Sequence, residues 1–424
     1  MKKVSVIGLG YVGLPLLCAI AKSKKYRACG YDIGEKQVDL IKKKICPIDD
    51  NICAKDLKEV DIEVSSDEEI LKDSDYFVIC VPTPVLDDHT PDYTPVINAS
   101  EVVSRYLKKG STVILESTVN PGTSEEVIYP LLLKNRAKLQ EKEFVLAHCP
   151  ERINPGDSKW SVYNIPRNVG AYPSDKVHTV GEFYRSFLDA EINEVSSLKV
   201  AEATKIIENT FRDINIAYVN ELAKSFDAMG IDLIETIEAS SNKPFSFMPH
   251  WPGRGVGGQC IAVDPYYLIN RAAKSGFNHK FLKMAREVNS GMPKYTVRRL
   301  QGALNEIKKS VKGTEIALLG LSYKENISDL RESPCLIIRD ILEKMGAKLN
   351  IYDPYIPDMS SVKSLEEALE RSRAILLCTG HKEFLNMEKL LKGYPNIKVV
   401  VDGMNKLNKK EIEKLGIIYR GIGR

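Results

Sequence analysis

The chain has 424 residues, more than one hydrophobic core usually serves, so two or three domains are expected. Hydrophobic residues make up 43% and charged residues 28%, and Lys plus Arg exceed Asp plus Glu by only 60 to 57, a globular mixture with no basic stripe to suggest nucleic acid as a partner. The nine cysteines include no CxxC pair, which excludes a patterned disulfide framework and points to a reduced, cytoplasmic chain; with the six dispersed histidines they suggest no metal site.

The N-terminal stretch "MKKVSVIGLGYVGLPLLCAIAK" has an uncharged run that resembles a secretory signal. Gly8, Gly10 and Gly13, followed by Pro15, are awkward in a continuous apolar helix and suit a strand, a tight turn and a helix instead. No other stretch approaches the ~20 apolar residues of a membrane span, so a soluble protein with no membrane partner is expected. Val4 to Ile7 reads as a buried strand, and Gly8-Leu9-Gly10-Tyr11-Val12-Gly13 opens the following helix. A second strand, "RACGYD", ends in Asp32, which completes a dinucleotide-binding fingerprint. Gly8, Gly10, Tyr11, Val12 and Gly13 then line the pyrophosphate at the helix N-terminus. Asp32 accepts the ribose hydroxyls and repels a 2′-phosphate, so the cofactor expected is NAD.

Further strands are read at 75–84, 111–118 and 144–152. Their ends, carrying Pro82, Thr83 and Thr118, are expected to face the ligand crevice. Residues 201–230 form a long helical pattern, with Ile206, Ile207, Thr210, Phe211, Ile214, Ala217 and Tyr218 at helical spacing. Lys205, Asn209, Arg212 and Asn220 occupy the opposite stripe, ordinarily a solvated face. Lys205 and Asn209, one turn apart, also suit the holding and polarising of a substrate hydroxyl or the carbonyl formed from it.

"GRGVGGQCIAVDPYY" then places Cys260 behind four glycines and ahead of Asp264. A second strand-and-turn pattern follows at 315–324, 347–355, 373–380 and 397–405; its first turn lacks the glycine triplet and carries Lys324, and its second strand ends in Asp353. This half is read either as a nucleotide site using side-chain charge or as a degenerate structural repeat. A nicotinamide domain takes hydride, and a thiol can add to an aldehyde and hold it for a second oxidation. These parts together describe oxidation of an alcohol to a carboxylate. A two-electron hydroxyacid dehydrogenase would need neither the cysteine nor a third domain, and an NAD-binding redox regulator would need none of the Lys205–Asn209–Cys260 set.

Through "GLGYVGLP", "VPTP", "LEST", "CPER", "AEATK", "GVGGQCIAVDP" and "YKENISDLRESP", in order and over nearly the whole length, the chain resembles the UDP-glucose/GDP-mannose dehydrogenase family. The resemblance implies two Rossmann-like, doubly wound α/β domains joined by a long central helix and a helical dimerisation domain. The expected boundaries are 1–198 for NAD binding, 199–300 for the central part with the cysteine loop, and 301–424 for UDP-sugar binding. It implies Cys260 as nucleophile, Lys205 and Asn209 as stabilisers of oxyanions, Asp264 and Thr118 as residues ordering water and protons, and Glu151 as general base. Glu151, Arg152, Lys205, Asn209, Arg254, Gly257, Lys324 and Arg331 are then the residues expected to meet a UDP-sugar, with a homodimer through the central helix.

Two departures bear on the substrate. Gln259 stands where acetamido-sugar members usually carry His, and Met404-Asn405-Lys406 replaces a strand end that bears arginine in UDP-glucose enzymes. With the segments 242–268 and 276–295, the second points to a UDP-N-acetylhexosamine, UDP-N-acetylglucosamine first, with UDP-N-acetylmannosamine or UDP-glucose as alternatives. The same resemblance implies Phe245, Phe247 and Met248 as an apolar wall for the acetamido methyl.

Overall fold

The computed structural model describes residues 1–86, 90–134, 140–153, 159–258 and 260–424; Gln259 therefore lies outside the described residues. The chain divides into two compact units, residues 1–208 with 266–277 and residues 209–265 with 278–424.

In the first unit, strands β1 (Lys3–Ile7), β2 (Arg27–Tyr31), β3 (Glu63–Ser65), β4 (Tyr76–Ile79), β5 (Thr112–Leu115), β6 (Val145–His148), β7 (Arg167–Tyr172) and β8 (Ile192–Glu194) form one sheet. Its order is β3-β2-β1-β4-β5-β6-β7-β8. The pairings are parallel except β6 with β7. Helices on both faces explain why β4 and β5 read as apolar runs and why β1 buries Val4, Val6 and Ile7 on both sides of a hydrogen-bonded Ser5. The chain order reverses between β1 and β4, the place where open α/β sheets bind ligands beyond their strand ends. The strand expected over 75–84 stops at Ile79, because Pro82 and Pro84 have no N–H to continue a ladder. Strands β3, β7 and β8 were not anticipated; β3 is three residues long and β8 likewise, too short to show a period.

The uncharged N-terminal run is β1, the glycine turn and the helix Gly13–Lys22, whose Leu14, Leu16, Leu17, Cys18 and Ile20 are buried. Among the described residues no helix is long and apolar enough to cross a membrane.

The second unit contains a wholly parallel sheet of β9 (Glu315–Leu319), β10 (Lys348–Tyr352), β11 (Ala374–Leu377), β12 (Val399–Asp402) and β13 (Ile418–Gly421), in the order β10-β9-β11-β12-β13. Its first turn repeats two backbone contacts of the first unit's turn. Gly8 (φ +87°) and Gly320 (φ +86°) each donate a backbone bond of 2.9 Å, to Tyr31 and Tyr352 respectively. Leu9 N–H donates to Asp32 at 2.7 Å, and Leu321 N–H to Asp353 at 2.6 Å.

The long helix Leu198–Met229 runs across the division between the units. Its burial corrects the expected faces. Asn220, on the stripe read as ordinarily solvated, is 0% exposed, and Lys205, read there either as solvated or as a substrate-holding group, is 7% exposed, whereas Ile207, Phe211 and Tyr218 of the apolar arc are 61%, 49% and 58% exposed. For Asn220 and its neighbour Asp213 the reason lies in partners within their own unit. Asn220 donates to Asn289 and accepts from the Gly253 N–H, and Asp213 accepts from Arg286 and Asn289. Partners distant in sequence satisfy these polar groups, so they can be buried.

Candidate active site

In the first unit the nucleotide crevice is built from backbone geometry. A Cβ on Gly13 would lie 1.9 Å from the Gly8 carbonyl oxygen, so only glycine lets the helix start so close to the strand end. Nothing stands within 4 Å of where a Gly10 Cβ would point, leaving room for a pyrophosphate against the turn. Asp32 accepts from Leu9 N–H with one oxygen and from Gly34 N–H, at 2.8 Å, with the other. Its carboxylate is thereby fixed at the end of β2 with lone pairs left over, as recognition of a ribose diol requires. Tyr11 is partly exposed on the turn, next to Val12. These residues fit NAD.

The edges of the same crevice are tied together. Ser117 donates to the Val81 carbonyl at 2.7 Å, linking the end of β5, where Thr118 sits half-buried, to the segment bearing Pro82 and Thr83. Tyr267 donates to the Thr83 carbonyl at 2.7 Å, and Arg271 pairs with Glu126, so the body of the helix Asp264–Lys274 is anchored here. Glu202 is a residue the sequence reading missed. Buried on the central helix one turn before Lys205, it accepts from Gly122 N–H at 2.5 Å and Ser124 N–H at 2.8 Å and so holds the loop after Thr118. The "AEATK" stretch showed only its position, not its partners.

Glu151 and Lys205 come together in this unit. Glu151 Oε1 is enclosed with no hydrogen-bond partner among the described residues. Burial pushes its carboxyl up to about 7, against the opposing pull of Lys205 and Arg167. A carboxyl poised there can hold or release a proton near neutral pH. Arg152 is engaged with Glu208 at 2.7 Å and donates to the Pro166 carbonyl.

In the second unit, Cys260, Asn209 and Asp264 are brought together. Cys260 is exposed, while seven of the other cysteines are buried and Cys46 is half-buried. Its carbonyl accepts from Asp264 N–H at 2.8 Å in the turn that opens the helix, and Asp264 accepts from Asn209 at 2.5 Å. The thiol is thus presented at a structured turn rather than packed as a small hydrophobe. The glycines before it do not simply clear space. A Cβ on Gly257 would come within 2.7 Å of the Glu332 carbonyl and of Tyr323, and one on Gly258 (φ +83°) within 2.6 Å of the Tyr323 ring. They let the loop lie on Tyr323, which the sequence reading did not single out.

Arg331 and Arg254 hold that loop from two sides. The Arg331 carbonyl accepts from Gly258 N–H at 3.0 Å, its guanidinium pairs with Asp329 at 2.6 Å, and it interacts with the Cys260 thiol, a cation within the same unit as the thiol. Arg254, 2% exposed, donates to the Tyr323 carbonyl at 2.9 Å and reaches Cys335 and Met404, pinning the loop to the ends of β9 and β12. Lys324 is half-buried just beyond the β9 turn. Asp353, the counterpart of Asp32, is fully buried, bonded to Leu321 and Ser322 N–H and to His381. Asp353 is thus enclosed, whereas Asp32 is only half-buried.

Three domain models of the UDP-glucose/GDP-mannose dehydrogenase family match this chain: the NAD binding domain over residues 2–188, the central domain over 199–291 and the UDP binding domain over 317–409. The chain is 37% identical over 399 residues to the UDP-N-acetyl-D-glucosamine 6-dehydrogenase of Pseudomonas aeruginosa, covering 91% of this chain and 92% of that protein. It is also 37% identical over 432 residues to the UDP-N-acetyl-D-mannosamine dehydrogenase of Pyrococcus horikoshii, covering 100% and 99%. The solved structure of the UDP-D-ManNAc dehydrogenase of Pyrococcus horikoshii superposes with a TM-score of 0.92 at 35% identity, covering 100% of this chain and 99% of that one.

Proposed function

The chain belongs to the UDP-glucose/GDP-mannose dehydrogenase family, and on that premise we propose that it oxidises the C6 hydroxyl of a UDP-N-acetylhexosamine to the carboxylate with two NAD per sugar. Membership makes it an NAD-dependent UDP-sugar dehydrogenase; the finer reading rests above all on one observation. Cys260 is the exposed cysteine of the nine, presented at the turn into the helix whose first residue, Asp264, is bonded to Asn209.

NAD, held by the glycine turn and Asp32, would supply the hydride acceptor for both oxidations. In the first, Lys205 and Asn209 hold the C6 oxygen and Glu151 takes its proton, leaving an aldehyde. The Cys260 thiolate adds to that aldehyde, and the same Lys and Asn stabilise the oxyanion of the thiohemiacetal. Loss of the second hydride gives a thioester. Water ordered by Asp264 and Thr118 adds to it, the C–S bond breaks, and Cys260 leaves with the carboxylate as product. Arg152, Arg254, Gly257, Lys324 and Arg331 belong in this reading to the loops that bind and frame the nucleotide sugar.

UDP-N-acetylglucosamine is the substrate named for the Pseudomonas relative. The mannosamine epimer is a second reading, supported by the Pyrococcus relative at the same identity over the full chain. The exposed stripe of Ile207, Phe211 and Tyr218 on the central helix supports pairing with a second copy of this chain. An NADH-linked assay with UDP-glucose, UDP-N-acetylglucosamine and UDP-N-acetylmannosamine tests the reading. Two NADH per sugar are expected, with the highest kcat/KM on an N-acetylhexosamine. One NADH per sugar, or a preference for UDP-glucose, overturns it.

A further inference from the structure

The first unit contains a group of thiols that the proposed reaction does not use. Cys18 lies on the helix Gly13–Lys22 and Cys53 in the first turn of the helix Asn51–Glu59, where Asp50 accepts from its N–H at 2.8 Å. Cys46 lies in the connection before that helix. Cys53 interacts through its thiol with Cys18 and with Cys46; Cys18 and Cys53 belong to one core cluster and Cys46 packs against it. Cys18 and Cys53 are 0% and 2% exposed, whereas Cys46 is half-buried, so an oxidant reaches the trio through Cys46.

We propose that Cys46 and Cys53 are a hydroperoxide-sensitive modification site, closing to a disulfide that weakens NAD binding. The accessible thiol is also the one more readily ionised. Its interaction with Cys53 is the main influence lowering Cys46 to about 7, while Cys53 is pushed up first by its interaction with Cys18 and then by that with Cys46 and by burial. The Cys46 thiolate attacks the peroxide; an S–O bond forms, the O–O bond breaks, and hydroxide or alkoxide leaves. Cys53 then attacks the Cys46 sulfenic acid, the S–O bond breaks, and water leaves with the Cys53 proton. Two thiols are oxidised by two electrons, and one hydroperoxide is reduced to water and water or an alcohol.

The link to NAD is structural. A disulfide draws the two sulfurs to about 2.05 Å, so the connection bearing Cys46 must move against a helix already capped at Cys53. Oxidation also removes the proton that Cys46 donates to the Ile48 carbonyl at 3.3 Å. The same connection carries Asp49, whose N–H donates to the Tyr11 hydroxyl at 3.4 Å, and Tyr11 belongs to the glycine turn of the cofactor crevice.

The test is direct because trypsin releases Cys46 and Cys53 on one peptide, Ile45 to Lys55. Full-length protein treated with a small excess of hydrogen peroxide should give this peptide lighter by two hydrogens and refractory to alkylation until reduced. NAD affinity, read by titration calorimetry so that oxidation of Cys260 does not interfere, should fall at least about fivefold and recover on reduction. Saturating NAD should lower the equilibrium constant for closure, read against a thiol–disulfide buffer, by the same factor, because the coupling is reciprocal. Cys46→Ser should keep its NAD affinity under peroxide, and Cys53→Ser should stop at a Cys46 sulfenic acid trapped by dimedone. If Cys53→Ser does not fold, the half-buried Cys46→Ser alone carries the comparison. A Cys18–Cys53 link, a sulfinic acid at Cys46 without the disulfide, an unchanged NAD affinity after closure, or a peroxide-sensitive Cys46→Ser protein each overturns the proposal.

Discussion

Glu151→Gln separates the activity and the stability of one buried carboxyl. Burial raises its pKa from 4.5 to about 7. A rise of that size corresponds to about 3 kcal/mol against the charged form, an upper figure for the cost of ionising it in the folded chain. The sign follows from proton binding. Below pH 4.5 both states carry the proton; between 4.5 and about 7 the folded state holds one proton more than the unfolded chain, so stability falls as pH rises, and above 7 the whole cost is present. Glutamine carries no charge to desolvate. The variant should therefore melt near the wild-type temperature at pH 5 and above it at pH 8.

Catalysis should move the other way. A base must be ionised, so the wild-type kcat should lose about tenfold per pH unit below about 7, and the variant should lose that limb along with about 10²–10⁴ in kcat. NADH absorbance from pH 5.5 to 9, beside thermal melts at pH 5 and 8, reads both. Glu202 is also raised to about 7 by burial, so the wild-type limb alone does not identify the group; its loss in Glu151→Gln does. A variant that keeps wild-type turnover and the same acid limb refutes the role of Glu151. One that gains no stability at pH 8 refutes the account of its burial.

Cys260→Ala should bind NAD and UDP-sugar yet form no uronate at a useful rate, by mass spectrometry of product. Asp32→Ala should relax the preference for NAD over NADP, measured as the ratio of kcat/KM, since the carboxylate would otherwise face a 2′-phosphate a few ångströms away. Phe211→Glu, on the exposed side of the central helix, should give monomer by light scattering while leaving the fold intact by circular dichroism; a dimer of unchanged stability would remove that face from the interface.

What was legible in the sequence is what neighbouring residues decide among themselves. The β1–turn–helix unit is local: Gly8 and Gly13 meet within a few residues, and Asp32 closes the unit from the next strand, so type and spacing were enough to read an NAD site. Cys260 stood out because its glycine-rich surroundings are not those of a packed thiol. The faces of the central helix were not legible. Periodicity tells where residues lie around a cylinder but not what covers each side, and polar Lys205 and Asn220 are buried while Ile207 and Phe211 are exposed. Asn289, Gly253 and Arg286, far along the chain, supply the hydrogen bonds that make the burial of Asn220 and Asp213 tolerable. Tyr323 beneath Gly258 and the Gly122 and Ser124 amides on Glu202 are decisions of the same kind. Only the tertiary structure brings together the two groups that complete each contact, and a buried polar atom or a side chain-free approach is tolerable only when its distant partner is there.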